Sequence, residues 1–139
     1  MTYEDIPAVA ALEKKYFSQP WSEAGIGHYM DSGSTIFVVA KYAGAVVGYG
    51  AVMKVLDESD LVSLAVDEPY REMGIAREIL DILYGLAAGK NVAKIHLEVR
   101  KSNIAARNLY ESEGFVQVGI RKGFYDRPKE DACLYTKEL

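Results

Sequence analysis

The hydrophobic period changes at Thr35, and this change restricts the folds open to the chain more than any other feature. Before it, apolar residues recur at a helical period. From Thr35 to Val66 they come in three runs, TIFVVAK (35–41), AVVGYGAVMKV (45–55) and LVSLAV (61–66), rich in β-branched and aromatic side chains and parted by short turns. Ala43-Gly44 predicts a hairpin turn between the first two runs. Gly48 and Gly50 either weaken the second run or mark a bulge. The third run is nearly all apolar and reads as a strand central in its sheet.

Helical spacing lies on either side of these runs. Residues 2–17 place Ile6, Val9, Leu12, Tyr16 and Phe17 on one stripe. That helix starts either at Thr2, with Asp5 completing a capping box, or at Asp5, which sets Pro7 in the first turn. Pro20-Trp21 interrupts, and Ser22 caps a second short helix carrying Ile26, Tyr29 and Met30 and ended by Gly33. Residues 75–88 return to the helical period with Ile79, Leu80, Leu83 and Leu86 on one side, and Gly89 lies just past the end. Residues 94–100 (KIHLEVR) alternate as a strand, and Asn103 caps a helix over 104–111 that stops at Gly114. Strands over 115–120 and 132–136 flank an irregular segment, Arg121 to Asp131. This order predicts an α/β or α+β fold, with parallel neighbours where a helix intervenes and antiparallel ones at hairpins.

The 139 residues, half of them apolar, fit one domain spanning 1–139. A net charge of −4 argues against general nucleic-acid binding, which needs a concentrated basic face. One cysteine (Cys133) excludes an internal disulfide and, with only two histidines, argues against a structural zinc; no metal is expected. The uncharged run from Tyr42 is broken by Lys54 and three glycines and is too short to span a bilayer. Glu4 and Asp5 stand where a signal peptide carries basic residues. The expectation is a soluble, cytoplasmic chain without a membrane partner.

The most informative stretch runs from Val66 to Arg77 (VDEPYREMGIAR): a strand exit, a short loop with Pro69, and a helix entered at Gly74. The first N–H groups of a helix lack internal partners and lie at the positive end of its dipole. With no side chain at Gly74 and only a methyl at Ala76, an anion could approach them, a pyrophosphate fitting best. Equally, Gly74 could merely shape the strand-to-helix turn. The stretch is neither a Walker A loop nor a dinucleotide fingerprint.

Arg71-Glu72-Met73-Gly74-Ile75-Ala76 resembles the Arg/Gln-x-x-Gly-x-Gly/Ala signature of the GNAT superfamily of N-acetyltransferases. The likeness extends across nearly the whole chain and narrows to the RimI-type N-alanine acetyltransferases of ribosomal proteins. It is carried by Pro20-Trp21-Ser22, Leu64-Ala65-Val66-Asp67, Leu97-Glu98-Val99-Arg100, Ser102-Asn103, Ala106, Leu109-Tyr110-Glu111, Gly114-Phe115 and Glu130-Asp131-Ala132. The resemblance implies a GNAT fold, a mixed and mostly antiparallel sheet flanked by helices, with the family's first strand short or absent here. It implies acetyl-CoA as cosubstrate, its pyrophosphate held over Arg71, Glu72, Met73, Gly74, Ile75, Ala76 and Arg77. Leu64, Ala65 and Val66 would pair their backbone with the pantetheine arm, and Asn103 would contact the coenzyme. Trp21 and Tyr125 would lie on the acceptor side.

Alternation on 94–100 sets His96, Glu98 and Arg100 on one face and Ile95, Leu97 and Val99 on the other. Attack on a thioester needs a neutral amine. An α-amine is roughly a tenth neutral at pH 7, a lysine well under about a thousandth, so a carboxylate has little left to do for the former. By resemblance Glu98 is the general base and Tyr110 the general acid, which protonates the departing thiolate. Read without it, Glu98 could be half of a Glu–Arg pair at a strand end and Tyr110 a core aromatic. His96 and Cys133 read as structural. Gly123 and Phe124 depart from the Asn-Tyr-Tyr of the RimI branch in the segment expected to grip the acceptor. The expected function is acetyl transfer, directly in a ternary complex, to the α-amine of a protein N-terminus, an N-terminal alanine of a ribosomal protein. Transfer to a small amine or lysine side chain, or non-catalytic acyl-CoA binding, are the alternatives.

Overall fold

A computed structural model describes all 139 residues. A 3-10 turn, Tyr3–Asp5, leads into α1 (Ile6–Tyr16), and α2 spans Glu23–Ser32. Three strands follow: β1 (Thr35–Tyr42), β2 (Ala45–Val55) and β3 (Glu58–Val66). Then come a 3-10 turn, Glu68–Tyr70, and α3 (Ile75–Gly89), β4 (Lys94–Arg100), α4 (Ile104–Ser112), β5 (Val116–Tyr125) and β6 (Glu130–Glu138). No helix is long and apolar enough to cross a membrane.

The caps explain several boundaries. Ser22 accepts the Gly25 N–H at 3.0 Å to start α2, and Gly33 ends it in the left-handed conformation (φ 73°). At the amino end both readings hold. Asp5 accepts the Thr2 N–H at 2.9 Å around the 3-10 turn and also stands at the cap position of α1, with Pro7 in the first turn.

The six strands form one sheet in the order β1-β2-β3-β4-β6-β5. Every neighbouring pair is antiparallel except β3–β4, the pair joined through α3. No strand precedes α1 in this chain, and β1 forms one edge of the sheet. On one face α1 and α2 pack Val9, Leu12 and Ile26 against Tyr49, Ala51 and Ala65. On the other face, α3 and α4 pack Ile79, Leu80, Leu83 and Tyr110 against Ile36, Val38, Ile95, Leu97, Val99 and Tyr135.

The structure meets one expectation and corrects several. The bulge expected at Gly48 or Gly50 is present beside Gly48: Ala40 and Lys41 of β1 face Gly48 and Val46, leaving Val47 of β2 as the extra residue, and both glycines lie under α3. A Cβ on Gly50 would come within 2.7 Å of Ile79 Cγ2 and 2.9 Å of Leu83 Cδ1. A second bulge, not expected from the sequence, lies in β3, where Ala51 and Val52 face Ser63 and Leu61 and leave Val62 unpaired. β3 begins at Glu58, three residues ahead of the apolar run, because its polar start pairs with Lys94–His96 of β4. Leu86 is 46% exposed, beyond the buried stripe of α3. Much of the segment expected to be irregular is strand: β5 runs on to Tyr125, with residues 122–124 bulged out of register against β6.

β3 and β4 pair only over Glu58–Asp60 and Lys94–His96. Beyond those residues the strands part, whereas the other edge of β4 pairs with β6 from Lys94 to Arg100. Most of the candidate site residues lie around this opening.

Candidate active site

Two clefts border the opening. The first, about 760 Å³, lies at the carboxyl end of β3 between the last turn of α1, the first turn of α3, and α4. Its walls include Leu64, Ala65, Val66, Arg71, Glu72, Gly74, Ile75, Ala76, Arg77, Asn103 and Tyr110. The second, about 580 Å³, lies along β4, β6 and β5 and is lined by Asp60, Val62, His96, Glu98, Arg121, Phe124 and Tyr125, among others.

At the first cleft, Glu72 (φ 63°) and Gly74 (φ 80°) turn the chain twice through the left-handed region before α3 begins. A Cβ at Gly74 would meet nothing within 4 Å, so within the protein its backbone conformation, rather than crowding, calls for glycine. No side chain caps α3, and its first internal bond runs from the Glu78 N–H to the Gly74 carbonyl. The N–H groups of Ile75, Ala76 and Arg77 therefore have no acceptor in the helix, beside a cleft open to a ligand. The loop before them is pinned at several points. Arg71 Nε donates to the Val66 carbonyl at 2.9 Å, and its guanidinium lies 4.7 Å from the Tyr16 ring centre. The Tyr16 hydroxyl donates to Asp67 and accepts the Glu68 N–H at 2.8 Å. Lys15, then Tyr16, hold the Asp67 carboxyl below the usual carboxylate range.

Tyr110 is 9% exposed, its ring edge-on to Phe115 at 5.6 Å, and it forms part of the cleft wall. Burial, and secondarily the nearby Tyr125 phenol, push its pKa up to about 12. Tyr125 is itself raised by burial and then by Glu98. Ala106 leaves room on the α4 wall, and Asn103 Oδ1 accepts the Ala106 N–H at 3.1 Å, which starts α4.

Glu98 points away from the α3 core, as the alternation predicts, and pairs with Arg121 at 3.2 Å. The Glu–Arg pairing considered from sequence is therefore present, but inside a cleft and with a partner from β5. Arg121 also lies over Phe124, 5.0 Å from its ring centre. The Arg100 guanidinium sits 4.5 Å from the Tyr125 ring centre and donates to the Asp126 and Pro128 carbonyls at 3.0 and 2.9 Å. Glu130 accepts the Ser102 N–H at 2.6 Å, so the β5–β6 hairpin is fastened to the end of β4. Gly123 sits in the bulge with φ 61°, its N–H donated to Asp131 at 2.8 Å.

The residues expected to contact the coenzyme share the first cleft apart from Met73, which is 67% exposed and outside its walls. Glu98 and Tyr125 line the second cleft. Trp21 lines neither; it packs on Tyr29 and Phe37 at 5.1 and 6.0 Å. Sequence reasoning did not single out Tyr16, Phe17, Tyr70 or Leu109 as walls of the first cleft, or Arg121 as partner of Glu98. The end of the α1 apolar stripe was the available sign for Tyr16 and Phe17; nothing local marks Arg121.

His96 bridges Thr136 Oγ1 and Glu58 Oε1, each at 2.7 Å, and Cys133 is buried. Cys133 sits in the core, whereas His96, expected to be structural, is partly exposed and also lines the second cleft.

Residues 6–115 match the model of the acetyltransferase (GNAT) family. The ribosomal protein bS18-alanine N-acetyltransferase of Escherichia coli K12 is 34% identical over 132 residues, covering 94% of this chain and 88% of that protein. The crystal structure of the ribosomal-protein-S18-alanine N-acetyltransferase from Escherichia coli superposes with a TM-score of 0.87 at 31% identity, over 100% of this chain and 90% of that one. A GNAT family acetyltransferase from Elizabethkingia anophelis, solved with acetyl-CoA bound, gives a TM-score of 0.73 at 25% identity over 85% and 84% of the two chains. With a sheet that opens between β3 and β4, and a glycine-entered helix beside the opening, this chain belongs to the GNAT family and is an N-acetyltransferase.

Proposed function

We propose that the protein transfers acetyl from acetyl-CoA to the α-amine of a protein N-terminus, an N-terminal alanine of a ribosomal protein, by direct transfer in a ternary complex. The observation that carries this reading is the arrangement at the opening, with the buried Tyr110 phenol in one cleft and the Glu98 carboxylate in the other. The first cleft suits the coenzyme in three ways: free helix N–H groups for a pyrophosphate, unpaired β3 backbone beyond Asp60 on the side facing β4, and a small residue, Ala106, on the opposite wall. Leu64, Ala65 and Val66 would receive the extended arm, Arg71 to Arg77 the phosphates, and Asn103 would face the coenzyme from α4.

Acetyl-CoA would supply the acetyl group as a thioester. Glu98, directly or through a water, takes a proton from the amine as the C–N bond forms, with Arg121 released from its pairing. Tyr110 gives its proton to sulfur as the C–S bond breaks, and burial keeps that proton in place until then. An α-amine needs little help to lose its proton, which matches a single, partly solvated carboxylate. Relatives named for ribosomal protein alanine acetylation support the acceptor, and such an acceptor implies a cytoplasmic enzyme.

A second acceptor class, small amines or lysine side chains, is favoured by one observation: Gly123 and Phe124 replace polar residues of the RimI branch, and Phe124 lines the second cleft. Radiolabelled acetyl transfer to peptides differing at the first residue, followed by mass spectrometry of the product, decides between them. Acetyl on the α-nitrogen of alanine-initiated peptides is the expected result. Acetyl confined to lysine or a small amine would overturn the acceptor assignment, and wild-type turnover in both Glu98→Gln and Tyr110→Phe would overturn the roles.

A further inference from the structure

The proposed chemistry leaves unused a buried carboxyl on α1. Glu13 is 2% exposed and accepts hydrogen bonds from three separate elements. Its Oε1 takes the backbone N–H of Trp21 at 3.0 Å, in the connection between α1 and α2. Its Oε2 takes the Ser63 hydroxyl of β3 at 3.2 Å and the Tyr49 hydroxyl of β2. Burial, and then Glu13 itself, raise the Tyr49 pKa, so that phenol remains a donor throughout the working pH range. A buried charged group adds little net stability compared with a well-packed apolar one, so this arrangement fits a positional role better than a purely stabilising one.

The position is informative. Asp60 pairs with His96, so along the parting strands Val62 and Ser63 come abreast of Glu98. The Val62 bulge turns Ser63 toward α1, where Glu13 holds it. The same carboxyl holds the Trp21 backbone, while the Trp21 ring packs tilted on Tyr29 and edge-on to Phe37. One side chain therefore fixes the α1–α2 connection to the strand margin that faces Glu98.

We propose that Glu13 is a positioning residue for the acceptor: by tying the Trp21 connection to β3 at the opening, it sets where the incoming amine meets Glu98. The inference rests on the N-terminal acetylation proposed above. Its loss should affect acceptor binding more than coenzyme binding, because none of the three Glu13 donors belongs to the α3 loop, although Ser63 adjoins Leu64 of the coenzyme cleft.

The test is steady-state kinetics with an alanine-initiated peptide, alongside calorimetry with acetyl-CoA, on Glu13→Ala and Glu13→Gln. Losing charge-assisted bonds at a buried site should raise the peptide KM about tenfold or more in Glu13→Ala. Glu13→Gln retains an acceptor for Trp21 and should raise it only about threefold. Acetyl-CoA affinity should change clearly less than the peptide KM in both. If Glu13→Ala does not fold, the glutamine variant decides alone by the same split. A peptide KM at the wild-type value, or equal losses for peptide and acetyl-CoA, would overturn the proposal. Absence of peptide turnover in the wild-type protein would instead bring down the N-terminal reading, and this inference with it.

Discussion

The two edges of β4 are a contrast within one short strand. Toward β6 it is hydrogen-bonded from Lys94 to Arg100; toward β3 the ladder stops at His96. The closed edge is structural: Arg100 and Glu130 fasten the hairpin that carries Tyr125. The open edge leaves backbone donors and acceptors of β3 and β4 without strand partners, and buried polar groups of that kind need some partner. A chain that forgoes ladder bonds at its centre, while completing them next door, leaves there the room that the proposed extended coenzyme arm needs. The difference teaches that the residues proposed for catalysis follow the open edge and their supports the closed one.

Four experiments can break or sharpen this contrast. At the open edge, Glu98→Gln and Tyr110→Phe should each lower kcat about a hundredfold or more while calorimetry finds acetyl-CoA binding intact. Intact turnover would detach the chemistry from the opening. Gly74→Val forces a β-branched residue to φ 80° at the loop before α3. It should cost at least about 1–2 kcal/mol in denaturant unfolding and weaken acetyl-CoA binding about tenfold. At the closed edge, Arg100→Ala should cost about 1–2 kcal/mol through the lost hairpin bonds, raise the peptide KM, and leave acetyl-CoA affinity unchanged. The smallest effect is in the pH profile. An acid must be protonated to act, and a Tyr110 pKa raised to about 12 keeps it so. The rate should therefore climb as the amine deprotonates near pH 8 and show no fall from this group below about pH 11. A falling limb near pH 9 that disappears in Tyr110→Phe would contradict the burial argument.

What was legible in the sequence was mostly local. Ser22, Gly33 and Asn103 mark helix ends because a cap depends on neighbours a few residues away. Alternation in KIHLEVR set Glu98 apart from the α3 core because a lone strand already fixes that geometry. Three bulges escaped, at Val62, at Val118 and at residues 122–124, because a bulge is defined by the register of a partner strand. Arg121 and Arg100 escaped for a related reason: their partners come from distant parts of the chain. Glu13 did leave a trace. It lies four residues after Val9 on the α1 stripe, a charged residue in a position that helical periodicity assigns to the core. Of the candidate site, the loop at Gly74 and the β4 carboxylate could be read in advance, whereas their division between two clefts required the three-dimensional path of β3.

The bare backbone at Gly50 has a reach that extends to the far end of α3. Because Ile79 and Leu83 rest where a methyl group would otherwise stand, the helix rides low on β2, and its height sets the elevation of its own first turn. Even an alanine there would act as a shim, lifting that turn and widening the first cleft from behind, its methyl meeting only Leu64 among the residues that line it.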